Sequence, residues 1–393
     1  MIKKLIMVGT TTQNNKLVNG QSMMFQLLVD QLKQKNIETI VVDFGKSINA
    51  NFHQERVSGK FQMTKLIDNI LLIFRMLYVL SANSNTDVYI NTSQSKVGFL
   101  RDYIFIRMAK FFNKKVIAHQ FGANYTSFYQ SQSLSFQQKI VATLNKTDFL
   151  IVEGNFAKNQ FTFIENFAKK VIVIPNGLPE KIDFSKIISK TILPEEPVHL
   201  LYLSNLIESK GYRDVLESIN ILVNKLNLNI TASFAGRFLE DVEDQLFSSA
   251  TDAKEDFFNY LERFNLRNRI TYHTGLYGHQ KAEEFKKAHF FLLPSYYINE
   301  GQPVSILEAL AYGCVPIVTN YRLIPDMVNK ENGFFVHKKA PEEIVKVIQL
   351  MISNPAEYKN LSEEGINYFN QHFTAEKYVN NILKLFNVNV SGV

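Results

Sequence analysis

Two acidic residues, Glu300 and Glu308, stand eight positions apart around a predicted helix start. Gly301 suits a tight entry, and Pro303 fits the first helical position, where no N–H is required. The free N–H groups and positive end of such a helix suit a phosphate. A helix from Gly301 to Glu308 would rise about 10 Å, so the two carboxylates could hold hydroxyl groups at both ends of a sugar nucleotide. The alternative makes Glu300 a solvated loop charge and Glu308 a paired acid in a buried helix.

The sequence around these carboxylates predicts a strand, a loop and a helix. Phe290–Leu293 is a short apolar run typical of a buried strand. From Val304 to Tyr312 the sequence is helical and largely apolar, and Gly313 is the expected stop. A carboxylate inside such an apolar helix needs a partner. This need favours a functional role for Glu308.

The segment from Ala288 to Asn320 resembles the donor-site signature of glycosyltransferase family 4, which comprises retaining enzymes of GT-B architecture. The matching residues are Glu300, Gly301, Pro303, Glu308, Ala309, Gly313 and Pro316. The resemblance implies that Glu300 contacts the donor sugar and that Glu308 binds the ribose hydroxyls. It also implies that the backbone at the helix start holds the distal phosphate, through Gly301, Gln302, Val304 and Ser305.

A second candidate loop, Leu203–Gly211, follows the first strand of the second half and opens a helix. Lys210 is a mobile charge with three donors, which can neutralise a diphosphate leaving group. In the resembling family this loop carries an Arg near its start and Lys-Gly at its end. Lys210 and Gly211 match, whereas Asn205 stands where the Arg is common, so it supplies an amide without charge. A solvated loop lysine is the alternative.

Three further residues are candidates for the site. His119 ends the strand that begins at Val116, and the carboxyl end of a parallel strand is where ligands bind; the resemblance places it near the donor sugar, and a structural histidine is the alternative. Gly20 resembles the family's glycine turn beneath the diphosphate, although an ordinary turn would look the same. Arg237, after the strand ending at Ala235, would add charge to the nucleotide pocket.

The chain of 393 residues is long enough for two domains, and strands alternate with helices in both halves. We therefore predict the α/β class and the GT-B fold, with two Rossmann-like doubly wound domains facing across a cleft. Predicted strands begin near residues 5, 39, 88, 116, 149, 171, 198, 230, 270, 290 and 315. Phe156–Phe167 is predicted as one helix.

The predicted domains follow this alternation. We expect an acceptor domain over 1–178, a linker over 179–197 and a donor domain over 198–371. As the resemblance implies, a last helix of about 372–393 should pack back on the first domain.

Composition and charge indicate where in the cell the protein is expected to occur and what it is expected to bind. No apolar run is long enough to span a membrane, no signal peptide is apparent, and the single cysteine, Cys314, suits a reducing compartment. We therefore expect a cytoplasmic protein. The basic and aromatic stretch Gly98–Lys115 fits either an amphipathic helix on an anionic membrane at the inner face of the cell membrane or a core helix with a solvated basic face. No nucleic-acid motif accompanies the net charge of +6.

The resulting hypothesis is a retaining glycosyltransferase of the hexosyltransferase type. It would move a sugar from a nucleotide-diphosphate sugar to a glycan or lipid-linked oligosaccharide in cell-surface polysaccharide synthesis. No cofactor and no metal are expected, because the histidines lack ligand spacing and no Asp-x-Asp ends a strand. The alternatives are a non-catalytic GT-B subunit that assists another transferase, and a nucleotide-sugar epimerase.

Overall fold

A computed structural model describes residues 4–12, 20–44, 63–178, 187–241 and 245–387, without the side chains of 63–69. The chain divides into two compact units. One consists of Met1–Glu180 with Thr374–Val393, and the other of Lys181–Phe373.

The first unit is built on a six-stranded parallel sheet. Its strands are β1 (Lys4–Gly9), β2 (Glu38–Asp43), β3 (Asp87–Thr92), β4 (Val116–Gln120), β5 (Phe149–Val152) and β6 (Val171–Val173), in the order β2-β1-β3-β4-β5-β6. The helices between them are α1 (Gly20–Gln34), α2 (Met63–Ala82), α3 (Lys96–Phe111), α4 (Tyr125–Gln130), α5 (Leu134–Leu144), α6 (Asn155–Lys158) and α7 (Phe167–Lys170). Leu5 to Val8 are fully buried, as expected for a parallel strand covered on both faces.

The second unit repeats this plan. Its strands are β7 (Val198–Leu203), β8 (Ile230–Ala235), β9 (Ile270–His273), β10 (Phe290–Leu293), β11 (Val315–Thr319) and β12 (Phe334–Val336), in the order β12-β11-β10-β7-β8-β9. Its helices are α8 (Tyr212–Asn220), α9 (Ala250–Arg263), α10 (Gly278–Lys287), α11 (Val304–Ala311), α12 (Pro341–Ser353) and α13 (Pro355–His372). The last helix, α14 (Ala375–Leu385), belongs to the first unit and contacts α1. The predicted α/β class with two doubly wound parallel sheets is confirmed.

The prediction of one helix over Phe156–Phe167 is wrong. The segment holds the four-residue α6, a 3₁₀ turn and then the start of α7. Gln160 explains the interruption, because its side chain accepts a hydrogen bond from the Thr126 N–H (2.9 Å) and donates one to the Ala123 carbonyl (3.0 Å). Phe161 is buried beside it. These tertiary contacts outweigh helix propensity.

The described part of the predicted linker is anchored to the second unit through Lys190. Its Nζ donates to the Phe285 carbonyl (2.5 Å), to the Ala288 carbonyl and to Cys314 Sγ (3.2 Å), and its backbone N–H donates to Ser362 Oγ (2.9 Å). Lys190 thereby satisfies carbonyl groups left open at the end of α10. Cys314 is buried, and burial raises the pKa of its thiol.

Candidate active site

Glu300 lies in the loop between β10 and α11 and is only 4% exposed. Pro303 is the N-cap of α11, with ψ at 115°, so the expectation that it occupies the first helical position is wrong, whereas the helix does begin at Val304 as the sequence predicts. The expectation of a 10 Å helical rise is therefore wrong, because a proline disfavours helical geometry in the residue before it. From Val304 to Glu308 the helix rises about 6 Å, and the rest of the span is loop.

Lys210 and Glu300 form a buried ion pair. Lys210 Nζ lies 2.8 Å from both carboxylate oxygens, and the side chains are 14% and 5% exposed. Ser295 Oγ donates a hydrogen bond to Glu300 Oε2, and the Lys210 ammonium lies 4.8 Å from the centre of the Tyr297 ring. The alternative interpretations of Glu300 and Lys210 as solvated loop charges are therefore excluded.

The backbone of the Lys210 loop determines where its ammonium lies. Gly211 has a φ of +78°, and a Cβ there would stand 2.5 Å from the Pro294 carbonyl oxygen. The Ser209 carbonyl accepts a hydrogen bond from the Tyr296 N–H (2.8 Å). Glycine thus permits the close approach of the loop after β7 to the loop after β10. Because β7 and β10 are neighbours in the sheet, their carboxyl ends bring Lys210 and Glu300 together.

Glu308 is also paired, with a lysine that no sequence motif selects. Lys281 Nζ, on α10, lies 2.5 Å from Glu308 Oε1, and the side chains are 13% and 5% exposed. Glu308 is therefore a paired acid in a buried helix, as its alternative interpretation required. The pairing is compatible with ligand binding, since a carboxylate can accept several hydrogen bonds.

The remaining residues of the helix start are accessible to different degrees. Gln302 is buried, whereas Gly301, Val304 and Ser305 are half-buried. The first N–H groups of a helix have no partner within the helix. A phosphate site at this position stays a prediction for all four residues.

Asn205 and Arg237 lie on adjacent loops and both are exposed. The Arg237 carbonyl accepts a hydrogen bond from the Leu206 N–H (2.8 Å). Gly236 allows this approach, because a Cβ there would collide with the Ser204 carbonyl oxygen. The backbone of Arg237 thus supports the loop that carries Lys210. Contact of either side chain with a nucleotide stays a prediction.

His119 lies at the carboxyl edge of the first unit's sheet and is fully buried. Its Nδ1 is 2.6 Å from the Tyr89 hydroxyl, and its ring stacks on Phe121 with 4.0 Å between the ring centres. Burial lowers the pKa of His119 to about 3, so the imidazole is neutral near pH 7. Nε2 has no hydrogen-bond partner among the described residues. One ring nitrogen is therefore anchored by the protein, and the full burial of the ring fits the alternative of a structural histidine. Contact of His119 with the donor sugar stays a prediction.

Glu153, which was not predicted as a site residue, holds the chain just after His119. It follows β5, accepts a hydrogen bond from the Gly122 N–H (2.6 Å) and accepts a second from Asn176 Nδ2 (2.6 Å). Burial raises the pKa of Glu153 to about 7. The hydrogen bonds from Gly122 and Asn176 lower the pKa of Glu153, but they offset the larger effect of burial only in part.

Gly20 begins α1 and is exposed. Residues 13–19 of the loop before it lie outside the described residues. Of the predicted site residues, the structure brings together Glu300, Lys210, Glu308 and the start of α11 in the second unit. His119 and Gly20 belong to the first unit.

The predicted membrane stretch, Gly98–Lys115, lies in α3 and the residues just after it, and three of its basic side chains have partners within the unit. Arg101 pairs with Asp102 at 2.7 Å and Lys110 with Asp148 at 2.8 Å, while the buried Lys114 donates to two backbone carbonyl groups. This arrangement favours the alternative of a core helix. Among the helices that the structure describes, none has the length and apolarity to cross a bilayer.

The two Rossmann-like units define the GT-B architecture, with paired carboxylates at the carboxyl edge of the second sheet. Residues 183–368 match the family described as glycosyl transferases group 1. This range contains Lys210, Lys281, Glu300 and Glu308.

Two similar proteins are named as glycosyltransferases. An uncharacterised glycosyltransferase of Haemophilus influenzae is 27% identical over 232 residues, covering 57% of this chain and 55% of the relative's length. One from Methanocaldococcus jannaschii is 25% identical over 299 residues, covering 73% and 71%. The chain thus spans about half the length of one curated relative and more of the other.

The structure of Anabaena HepE in complex with UDP has a TM-score of 0.66 at 13% identity, covering 98% of this chain and 99% of HepE. Together, the family match and the two relatives support a glycosyltransferase enzyme, and the structural likeness supports its GT-B fold.

Proposed function

We propose that the protein is a family 4 retaining glycosyltransferase that moves a sugar from a nucleoside-diphosphate sugar to an acceptor hydroxyl. The observation that carries this proposal is the pair of buried carboxylates, each held by a lysine, beside the start of α11. Both pairs lie within the segment that matches the group 1 family. Supporting evidence for the donor class is that HepE was solved with UDP and with UDP-glucose.

Each element of this site has a role in the proposed reaction. Glu300 orients the donor sugar, Glu308 accepts hydrogen bonds from the ribose hydroxyls, and the start of α11 receives the diphosphate. The acceptor oxygen bonds to the anomeric carbon as the bond from that carbon to the diphosphate oxygen breaks. The acceptor proton passes to the departing phosphate on the same face, so the configuration is retained.

Charge develops on the leaving diphosphate during this step. Lys210 and the N–H groups at the start of α11 stabilise it, and one such donor contributes about 3–4 kcal/mol to transition-state stabilisation in other enzymes. The resemblance also implies a contact of the neutral His119 with the donor sugar, which would require its fully buried ring to become accessible. The first unit supplies the acceptor site.

We propose a glycan or lipid-linked oligosaccharide acceptor in cell-surface polysaccharide synthesis, and a cytoplasmic location. A lipid-linked acceptor would bring the protein to the inner face of the membrane. The paired charges of α3 make that helix a poor contact surface. On α2, by contrast, Ile70, Phe74, Leu77 and Tyr78 lie on one helical face and are exposed, so membrane contact is assigned to α2. Sedimentation with liposomes tests it, and recovery of the protein in the supernatant would oppose it.

The decisive experiment is a donor screen. Thermal shift with UDP, GDP, ADP and their sugars should identify one stabilising nucleotide, and NMR of the transfer product should show the donor's anomeric configuration. Inversion would refute the retaining assignment. Tight nucleotide binding without transfer to any glycan acceptor would favour the non-catalytic subunit, and conversion of the donor sugar without an acceptor would favour the epimerase.

We also propose transfer without a metal ion, because lysine and backbone N–H groups supply the positive charge at the diphosphate. In the described ranges, no group of three or more His, Cys, Asp or Glu side chains could hold a metal ion. Transfer should continue in excess EDTA. A loss of activity that Mg²⁺ or Mn²⁺ restores would contradict this proposal.

A further inference from the structure

Two side-chain contacts join α10 to α11 and its C-cap residue. Lys281 meets Glu308 at 2.5 Å, and one turn further along both helices the rings of Phe285 and Tyr312 stack with 5.7 Å between their centres and 8° between their planes. Residues four apart lie on the same face of a helix. The two helices therefore meet along a seam with an ionic contact at one end and an aromatic contact at the other.

The aromatic end of this seam is firmly held. Phe285 is fully buried, and its carbonyl group accepts hydrogen bonds from Lys190 Nζ and from the Cys314 thiol. A shift of α10 by one residue would break these contacts and the ring stack. The position of Lys281 is thus set by core packing, in contrast to Lys286 on the same helix, whose side chain is 55% exposed and pairs with Glu283.

The charge of Lys281 matters because of what lies one turn away. The start of α11, where the diphosphate is proposed to bind, is about 6 Å of helical rise from Glu308. An unpaired carboxylate at that distance would repel a diphosphate, since the separation is within the Debye length and the surroundings are desolvated. Lys210 neutralises Glu300 in the same way. With both lysines present, the four charged groups sum to zero.

We propose that Lys281 is an affinity-determining residue of the nucleotide subsite. It holds the Glu308 carboxylate in position for the ribose and neutralises it, so that a nucleoside diphosphate can bind at the adjacent helix start. This inference deepens the proposed function and rests on it. The sugar-transfer step itself does not involve Lys281.

The test measures binding by calorimetry, with whichever of UDP, GDP and ADP the wild-type protein binds most tightly. Lys281→Met should raise Kd by about tenfold or more, because it removes the lysine that neutralises the buried Glu308 carboxylate. Lys281→Gln, which can still donate a hydrogen bond to Glu308, should raise Kd similarly and serves as the second variant should the first not fold. The matched control is Lys286→Met, which removes an exposed charge from the same helix and should leave Kd unchanged.

A double variant separates charge from packing. In the Glu308→Gln background no carboxylate is present to be neutralised, so Lys281→Met should raise Kd by a smaller factor there than in the wild-type background. In the single variant Lys281→Met, kcat at saturating donor should change less than KM. An unchanged Kd in Lys281→Met and Lys281→Gln, or an equal factor for Lys281→Met in the wild-type and Glu308→Gln backgrounds, would overturn the inference and leave the proposed function standing. If the wild-type protein binds none of the three nucleotides, the proposed function fails, and this inference fails with it.

Discussion

Replacing Lys210 by methionine should separate the stability that its ion pair provides from its contribution to catalysis. At 2.8 Å from each Glu300 oxygen, the attraction between unit charges is about 6 kcal/mol at an effective dielectric constant of 20. Desolvation offsets part of this, and removing one partner of a buried pair costs roughly 3–5 kcal/mol. Because the Lys210 side chain keeps 14% of its exposure, we expect a loss of about 3 kcal/mol in unfolding free energy.

The same substitution should lower kcat by about 10²- to 10³-fold, the usual effect of removing one donor to a developing anion. Unfolding in guanidinium followed by circular dichroism gives the stability, and release of nucleoside diphosphate at saturating donor gives kcat. In the double variant Lys210→Met with Glu300→Gln, stability should recover because no charge is left unpaired, whereas kcat should stay low.

Arg267 provides the matched control for this experiment. Its pair with Glu262 at 2.7 Å is similar in length, but the side chains are 50% and 63% exposed, so Arg267→Met should cost less than about 1 kcal/mol. A kcat for Lys210→Met within about threefold of the wild type would refute the catalytic assignment, given the expected loss. A stability loss no greater than that of Arg267→Met would show that burial does not strengthen the pair between Lys210 and Glu300.

Two further outcomes follow from the contacts around each sheet edge. Ser295→Ala removes the hydroxyl that donates a hydrogen bond to Glu300, so kcat should fall about tenfold with little change in nucleotide Kd. The matched control is Thr319→Val, which loses its hydrogen bond to the Ser295 carbonyl and should lower kcat less. Equal losses of kcat in the two variants would oppose a direct role for Ser295. Burial raises the pKa of Glu153 to about 7, so the folded state holds a proton that the unfolded state releases near pH 4.5. The stability that this protonation provides is fully present below about pH 4.5 and is lost as the pH rises through 7. Glu153→Gln should therefore flatten this part of the curve of stability against pH in thermal scans. An unchanged slope would contradict the raised pKa of Glu153.

Most of the secondary structure followed from local signals. The apolar runs that form β1 and β10 are buried on both faces of their sheets, which is the situation that makes strands readable as continuous apolar segments. Elements without such a signal were missed. Examples are β12, with three residues, and α4, whose six residues are too few for a helical period to emerge.

The sequence revealed those site residues that belong to one short segment or loop of the chain. Glu300 and Glu308 share one loop and helix, and Lys210 could be selected from its own loop. Lys281 could not, because it pairs with Glu308 only through the packing of α10 on α11. Spacing within one helix reveals which residues share a face, but not which helix that face meets.

The hydrogen bonds around Cys314 have a practical consequence. This residue is the chain's single cysteine, its sulfur is enclosed by Lys190 and two carbonyl groups, and a buried thiol that stays protonated reacts slowly. A cysteine engineered into an exposed position would therefore be the preferred target for maleimide dyes. The native sequence is thus a ready background for attaching one fluorophore and following ligand titrations optically.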